Sequence, residues 1–93
     1  MLLLPAVLTE REARDVLRVF RETAARSPDA ELIVDGSGLQ RFDSSALAVL
    51  LACRRQAEEL KRGFAVRALP AKLKDLARLY GVDALLPEQA AAT

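Results

Sequence analysis

Short apolar runs alternate along the chain with longer stretches in which an apolar residue recurs every three or four positions. The first pattern is typical of strands and the second of amphipathic helices. The resulting order of strand and helix, repeated three times, favours an α/β layer with a mostly parallel sheet and right-handed crossovers. Because there are three strong strand candidates, we expect a small sheet whose helices cover mainly one face.

The first eight residues are almost entirely apolar and are interrupted by Pro5. Because proline lacks a backbone N–H, this run predicts an edge strand or two short strands. Thr9 and Glu12 then have the spacing of a capping box, in which each side chain binds a backbone N–H of the first helical turn. The helix that follows is expected to end before Pro28. Its apolar stripe comprises Ala13, Val16, Leu17, Phe20 and Ala24.

Two further strands and a last helix are predicted. Residues 32–34 form a short apolar run that suits a central strand, and the glycine-rich segment 35–38 after it indicates a turn. The segment "FAVRAL" predicts the next strand, and Pro70 stands where a helix would begin. Gly81 is expected to end this helix, whose apolar stripe is Leu73, Leu76, Ala77 and Tyr80.

The segment "RFDSSALAVLL" opens the helix predicted from Ser44 to about Arg62, with Gly63 placed to cap its end. At about 100° per residue, one side of this helix is apolar throughout and should face the core. That side comprises Ala46, Val49, Leu50, Cys53, Ala57 and Leu60. The opposite side begins with a hydroxyl, a small residue and a leucine, and becomes charged only later. It comprises Ser44, Ala48, Leu51, Arg55, Glu58 and Arg62, with Leu47 on the flank.

An apolar patch on the outward side of a helix often marks a surface that binds another protein. We therefore predict a partner-binding surface near the start of this helix. Its residues are Ser44, Ser45, Leu47, Ala48, Leu51 and Arg55.

The two serines have three other interpretations. Asp43 or Ser44 can cap the helix, which stabilises it by about 1 kcal/mol. Ser45 is a possible phosphosite, because a phosphate at a helix N-terminus meets unpaired N–H groups and the positive end of the helix dipole. A catalytic serine is the weakest alternative, since the chain has no histidine to activate it. We expect no catalytic residues.

The 93 residues fit a single domain, residues 1–93, in which residues 87–93 look like a tail. The net charge of +1 gives no reason to expect a nucleic-acid partner. With no histidine and one cysteine, neither a disulfide nor a common metal site is expected, and no cofactor is indicated. The apolar start is too short to insert into a membrane. We expect a soluble, cytoplasmic protein.

A strand that ends in aspartate, followed by a short loop and by "DSSAL" at the start of an apolar helix, resembles a STAS domain. The segment "ALPAKLKDLARLYGVDALLP", residues 68–87, resembles the MlaB family of STAS proteins. The resemblance implies a STAS (SpoIIAA-like) fold, with a small, mostly parallel sheet of about four strands and helices packed mainly on one face.

The resemblance also implies a function. MlaB-like proteins are non-catalytic subunits that bind and stabilise the ATPase, MlaF, of an ABC phospholipid transporter that maintains outer-membrane lipid asymmetry. The complex also contains an MlaE-like permease and an MlaD-like protein, so the chain would lie at the cytoplasmic side of the inner membrane. In this sequence the MlaB contact hydroxyl falls on Ser44.

The alternative is an anti-sigma-factor antagonist or a chemotaxis-linked STAS switch that is regulated by serine phosphorylation. The phosphoacceptor of the antagonists falls on Ser45. The next residue is Ala46, where the antagonists usually have glycine.

Overall fold

A computed structural model describes residues 1–89 of the chain. Strands and helices alternate as the sequence predicts, although several strands are short. In chain order the elements are β1 (Leu2–Leu3), β2 (Val7–Leu8), α1 (Glu10–Arg26), β3 (Glu31–Asp35), β4 (Arg41–Phe42), α2 (Ser45–Glu59), β5 (Gly63–Arg67) and α3 (Ala71–Leu79), followed by a 3₁₀ helix (Asp83–Leu85).

The main sheet has three parallel strands in the order β1-β3-β5. The predicted interruption at Pro5 is confirmed, because β1 and β2 are separate pieces that pair with different strands. β1 pairs with β3, whereas β2 forms a small parallel pair with β4. Beyond β5, an isolated parallel bridge between Val66 and Glu88 is the only trace of a fourth position within residues 1–89. The fold is therefore the predicted α/β arrangement with a small parallel sheet.

The core lies between this sheet and the helices α1 and α2. Leu2, Val34 and Val66 are partners in register across the three strands, and all three are buried. The rings of Phe20 in α1 and Phe64 in β5 meet edge to face, with their centroids 6.4 Å apart. The opposite face of the sheet is less covered, since Leu3 on β1 is 63% exposed. The helices thus cover mainly one face.

The start of α1 is the predicted capping box. The Thr9 backbone N–H and the Thr9 hydroxyl both donate to Glu12 Oε1, at 2.8 and 2.7 Å. The Thr9 hydroxyl in turn accepts from the N–H of Arg11 at 3.4 Å. The helix ends at Arg26, before Pro28 as expected. Both ends of α1 therefore lie where the local sequence predicts them.

The end of α2 differs from the prediction, because Gly63 does not cap it. Lys61 takes the left-handed conformation, with φ of 58°, and the Arg62 N–H bonds to the Ala57 carbonyl at 2.9 Å. Gly63 already belongs to β5, where its N–H donates to the Ala30 carbonyl at 2.9 Å. Gly63 is therefore part of the sheet, and Lys61 adopts the left-handed conformation that glycine usually has at the end of a helix.

Two predicted core residues at helix ends are instead exposed. Leu60 is 50% exposed and Tyr80 is 59% exposed. Each is the C-cap residue of its helix, so each stands where the helical periodicity stops. By contrast, Gly81 ends α3 as predicted, with φ of 71°.

The segment 87–93, which we expected to be a tail, starts with a hydrogen-bonded stretch. Val66 donates its N–H to the Pro87 carbonyl at 2.9 Å, and Gln89 donates to the Val66 carbonyl at 2.7 Å. Residues 90–93 of this segment lie outside the described residues.

Candidate partner-binding surface at the start of helix α2

The turn from β4 into α2 is capped by an aspartate. Asp43 Oδ1 accepts the backbone N–H of Ser45 at 2.8 Å. Ser44 already has helical backbone angles, φ of −62° and ψ of −17°, and its side chain makes no capping hydrogen bond. Of the two predicted caps, the structure therefore uses Asp43 and leaves the Ser44 hydroxyl available.

Both serine hydroxyls stay accessible as a result. Ser44 is exposed and Ser45 is half-buried. Among the side-chain hydrogen bonds within residues 1–89, none involves either hydroxyl. Two hydrogen-bonding groups thus stand at the helix start without a role in holding the fold.

The outward side of α2 continues this surface along the helix. Ala48 and Arg55 are exposed and Leu51 is half-buried. The neighbouring Arg54 pairs with Glu58 at 2.5 Å, whereas the described part of the chain holds no ion-pair partner for Arg55. We call Ser44, Ser45, Ala48, Leu51 and Arg55 the α2 surface; it combines hydroxyls, a small residue, an aliphatic side chain and a guanidinium.

Leu47 does not belong to the α2 surface, which corrects the sequence prediction. It is only 4% exposed and is part of the hydrophobic core. α2 packs against both α1 and β5, so its buried arc is wider than one sheet contact would require. A residue on the flank, such as Leu47, is therefore covered, while Leu51 one turn later is only partly covered.

The charges at the start of α2 bear on the phosphosite hypothesis. The first turn of α2 contains no acidic residue. However, the Asp43 carboxylate already occupies the N–H of Ser45, where a phosphate would otherwise bind. A phosphate on Ser45 would have to displace this carboxylate or accept its repulsion. Phosphorylation would consequently disturb the cap that the fold now uses.

The single cysteine lies on the core side of α2. Cys53 is fully buried, and this burial raises the pKa of its thiol to about 12. The thiol is therefore protonated at neutral pH and is not a nucleophile. Within residues 1–89, no group of three or more His, Cys, Asp or Glu side chains is placed to hold a metal ion.

The turn at Asp35 was predicted, but its role in supporting the site was not. Asp35 is buried and accepts the Ser37 N–H at 2.7 Å, and Arg67 Nε lies 3.2 Å from its other oxygen. Hydrogen bonding from Ser37 is the largest cause that lowers the pKa of this carboxyl, and the charge of Arg67 adds to it. A Cβ at Gly36 would come within 2.8 Å of Leu69, so the backbone approaches closely here. These contacts fix the loop that leads to β4 and α2.

None of the helices within residues 1–89 combines the length and the apolarity that crossing a bilayer requires. The family model described as "Mlab, STAS domain" matches residues 2–87. No curated protein matches the chain. Because the family model covers nearly all of the sequence, and because the fold and the turn into α2 agree with it, this chain belongs to the Mlab-type STAS domain family.

Proposed function

We propose that this protein is a non-catalytic STAS subunit that binds and stabilises the ATPase of an ABC phospholipid transporter. Its partner would be an MlaF-like ATPase, in a complex with an MlaE-like permease and an MlaD-like protein that maintains outer-membrane lipid asymmetry. In that complex the chain would lie in the cytoplasm, at the inner membrane. The match to the Mlab-type family supports this proposal.

One structural observation carries the proposal. The α2 surface presents polar and apolar groups that the fold does not use, because Asp43 alone caps the helix. Ala48 allows a partner backbone to approach, and Leu51 supplies a contact that is already half-ordered by the core. At the far end, the Arg55 guanidinium can bind a carboxylate of the partner. The surface therefore offers an apolar centre with polar groups around it, as partner surfaces do.

Co-purification with an MlaF-like ATPase from the same genome tests the proposal. Leu51→Asp places a charge in the centre of the α2 surface, and Ser44→Arg adds a bulky cation at its start. We expect either variant to weaken the association by about tenfold or more, which is the size expected for a central contact residue.

Matched controls separate binding from folding. Leu60→Asp makes the same change at an exposed leucine on the opposite end of α2, and Ala25→Arg adds the same cation on α1. Both controls should retain the ATPase, and circular dichroism should show that all four variants fold. If Leu51→Asp and Ser44→Arg bind as well as the controls, the α2 surface is not the docking site.

A phosphorylated switch is the second candidate function. Ser45 favours it, because its hydroxyl is half-exposed, makes no hydrogen bond within residues 1–89, and stands in the first turn of α2. Mass spectrometry after incubation with a serine kinase of the anti-sigma-factor type tests this function, with Ser45→Ala as the control. Modification that persists in Ser45→Ala, or no modification at all, would exclude Ser45 as the phosphosite.

A further inference from the structure

Helices α1 and α2 lie side by side and run in the same direction. Their starts follow Leu8 and Phe42, which are partners in register in the parallel pair β2–β4. Near their ends, the guanidinium of Arg62, just after α2, donates to the Ala24 carbonyl of α1 at 2.6 Å. Because the two helices also pack against each other, a residue of α1 lies roughly level with the residue about 34 positions later, the offset between Leu8 and Phe42.

Two arginines lie on the flank of α1 that faces α2. The opposite flank is identified by Glu12 and Val19, which line a shallow groove together with both residues of β1. At about 100° per residue, the flank away from β1 carries Arg14, Leu17 and Arg21. Leu17 is half-buried and packs against the core, whereas both arginines are exposed. The two guanidiniums therefore stand along the boundary between α1 and α2.

The adjoining side of α2 is made of small side chains and one further arginine. By the offset between the helices, Ala48 is level with Arg14, and Arg55 is level with Arg21. Ala52 lies between these two levels and is half-buried, and Ala48 is exposed. Methyl side chains project little, so a partner can approach the main chain of α2 here. We call Arg14, Arg21, Ala48, Ala52 and Arg55 the α1–α2 strip; it shares Ala48 and Arg55 with the α2 surface.

The three guanidiniums of the α1–α2 strip are not used by the fold. Arg14, Arg21 and Arg55 are exposed, and none of them has an ion pair or a side-chain hydrogen bond within residues 1–89. The neighbouring arginine of α2 differs, because Arg54 pairs with Glu58. A guanidinium presents several N–H donors in a fixed fork that matches a carboxylate. The strip thus offers three such donors to a partner.

The nearby carboxylates leave the middle of the strip positively charged. Asp15 and Glu22, on the outward side of α1, both pair with Arg18, at 3.8 and 3.3 Å. Glu10 and Glu59 are the first residue of α1 and the last residue of α2, so they lie beyond the arginines at the two ends. A positive strip attracts acidic side chains and repels basic ones.

We propose that the partner of the α2 surface places an acidic segment along the α1–α2 strip. Its main chain approaches α2 at Ala48 and Ala52, and its carboxylates meet the guanidiniums of Arg14, Arg21 and Arg55. This partner is the ATPase proposed above, so the proposal rests on that function and adds the chemistry of the segment that docks. It also makes α1 part of the docking surface.

The salt dependence of association with the MlaF-like ATPase, measured by biolayer interferometry, tests the proposal. Between about 0.1 and 1 M salt the Debye length falls from about 10 to about 3 Å, so wild-type association should slow markedly. At low salt, Arg14→Gln and Arg21→Gln should each weaken binding by about two- to fivefold. The double variant Arg14→Glu with Arg21→Glu should weaken it by about tenfold or more and should remove most of the salt dependence.

Arg26 provides the matched control. It is an exposed arginine on another side of α1, without an ion-pair partner in the part of the chain that the structure describes. Arg26→Gln and Arg26→Glu should therefore bind the ATPase as the wild type does, with the same salt dependence. Circular dichroism reports whether each variant is folded.

The outcomes separate this proposal from the function on which it rests. An ATPase that does not bind the wild type at low salt would overturn both. If Leu51→Asp abolishes association but the double variant of Arg14 and Arg21 binds like the wild type, the docking function stands and the acidic segment is excluded. Sedimentation with phosphatidylglycerol vesicles is expected to be absent. Sedimentation that the double variant abolishes would mean that anionic lipid, not an acidic segment, occupies the strip.

Discussion

The starts of α1 and α2 lie side by side, because each helix follows one strand of the parallel pair β2–β4. Thr9 and Asp43 occupy corresponding places, directly after Leu8 and Phe42, which are partners in register. At α1 the side chains of Thr9 and Glu12 both serve the cap. At α2 the cap needs only Asp43, and two hydroxyls remain.

The difference between the two caps determines which polar groups at each helix start are left free to bind a partner. A hydroxyl that caps a helix N-terminus has fewer hydrogen-bonding groups left for a partner than a hydroxyl that does not. By assigning the cap to an aspartate, α2 keeps its serines available at no cost to the helix. The first turn of α1 is consequently a structural element, and that of α2 is a candidate binding surface.

Leu47→Ala is the variant that tests the limit of the α2 surface with the largest effect. Since Leu47 is buried between α2 and its neighbours, its truncation leaves a cavity and should lower the free energy of unfolding by about 2–5 kcal/mol. Urea denaturation measures this change. Leu60→Ala, at an exposed leucine of the same helix, should cost less than about 1 kcal/mol. If the two variants lose the same free energy of unfolding, Leu47 is exposed and belongs to the α2 surface after all.

Removal of the two caps should have similar, smaller effects. Thr9→Ala and Asp43→Ala each take away the acceptor at one helix start and should each lower the free energy of unfolding by about 1 kcal/mol. Thermal unfolding followed by circular dichroism is the measurement. If Asp43→Ala has no effect, the difference between the two helix starts that we describe is wrong.

A still smaller effect concerns pH and belongs to α1 alone. The hydrogen bond from the Thr9 backbone lowers the pKa of Glu12 below 4.5, so the unfolded chain takes up this proton at a higher pH than the folded chain. The stabilisation is therefore present above about pH 4.5 and is lost as the pH falls through the folded-state pKa. Glu12→Gln keeps a capping side chain but should flatten this part of the stability curve.

Denaturation of the wild type and of Glu12→Gln between pH 6 and pH 3 measures this pH effect. Glu10→Gln, in the same helical turn, is the control and should keep the slope. An unchanged slope in Glu12→Gln would show that the capping box does not depend on the ionised carboxylate.

The smallest expected effect is that of Ser44→Ala on stability. Because the Ser44 hydroxyl makes no capping bond, its loss should change the free energy of unfolding by less than about 0.5 kcal/mol. A cost as large as that of Asp43→Ala would mean that the hydroxyl belongs to the cap. The same variant also probes partner binding, since it removes a hydroxyl that we propose to lie in the docking surface.

Much of the fold followed from local patterns. The capping box at Thr9, the split of the first strand at Pro5 and the end of α3 at Gly81 were all predicted and are confirmed. Each depends on residues within one or two turns, where side-chain and backbone chemistry act directly. The α2 surface was predicted in part, because helical periodicity identifies its outward side.

The sequence by itself determined the alternation of strands and helices, the caps that it could form, and the absence of a histidine base. The tertiary structure decided which of these caps is used and which flank residues are covered. Leu47 is buried because α2 contacts α1 as well as β5. Lys61 adopts the left-handed conformation because Gly63 is already part of β5. These outcomes depend on contacts between distant segments, which periodicity along a single helix does not contain.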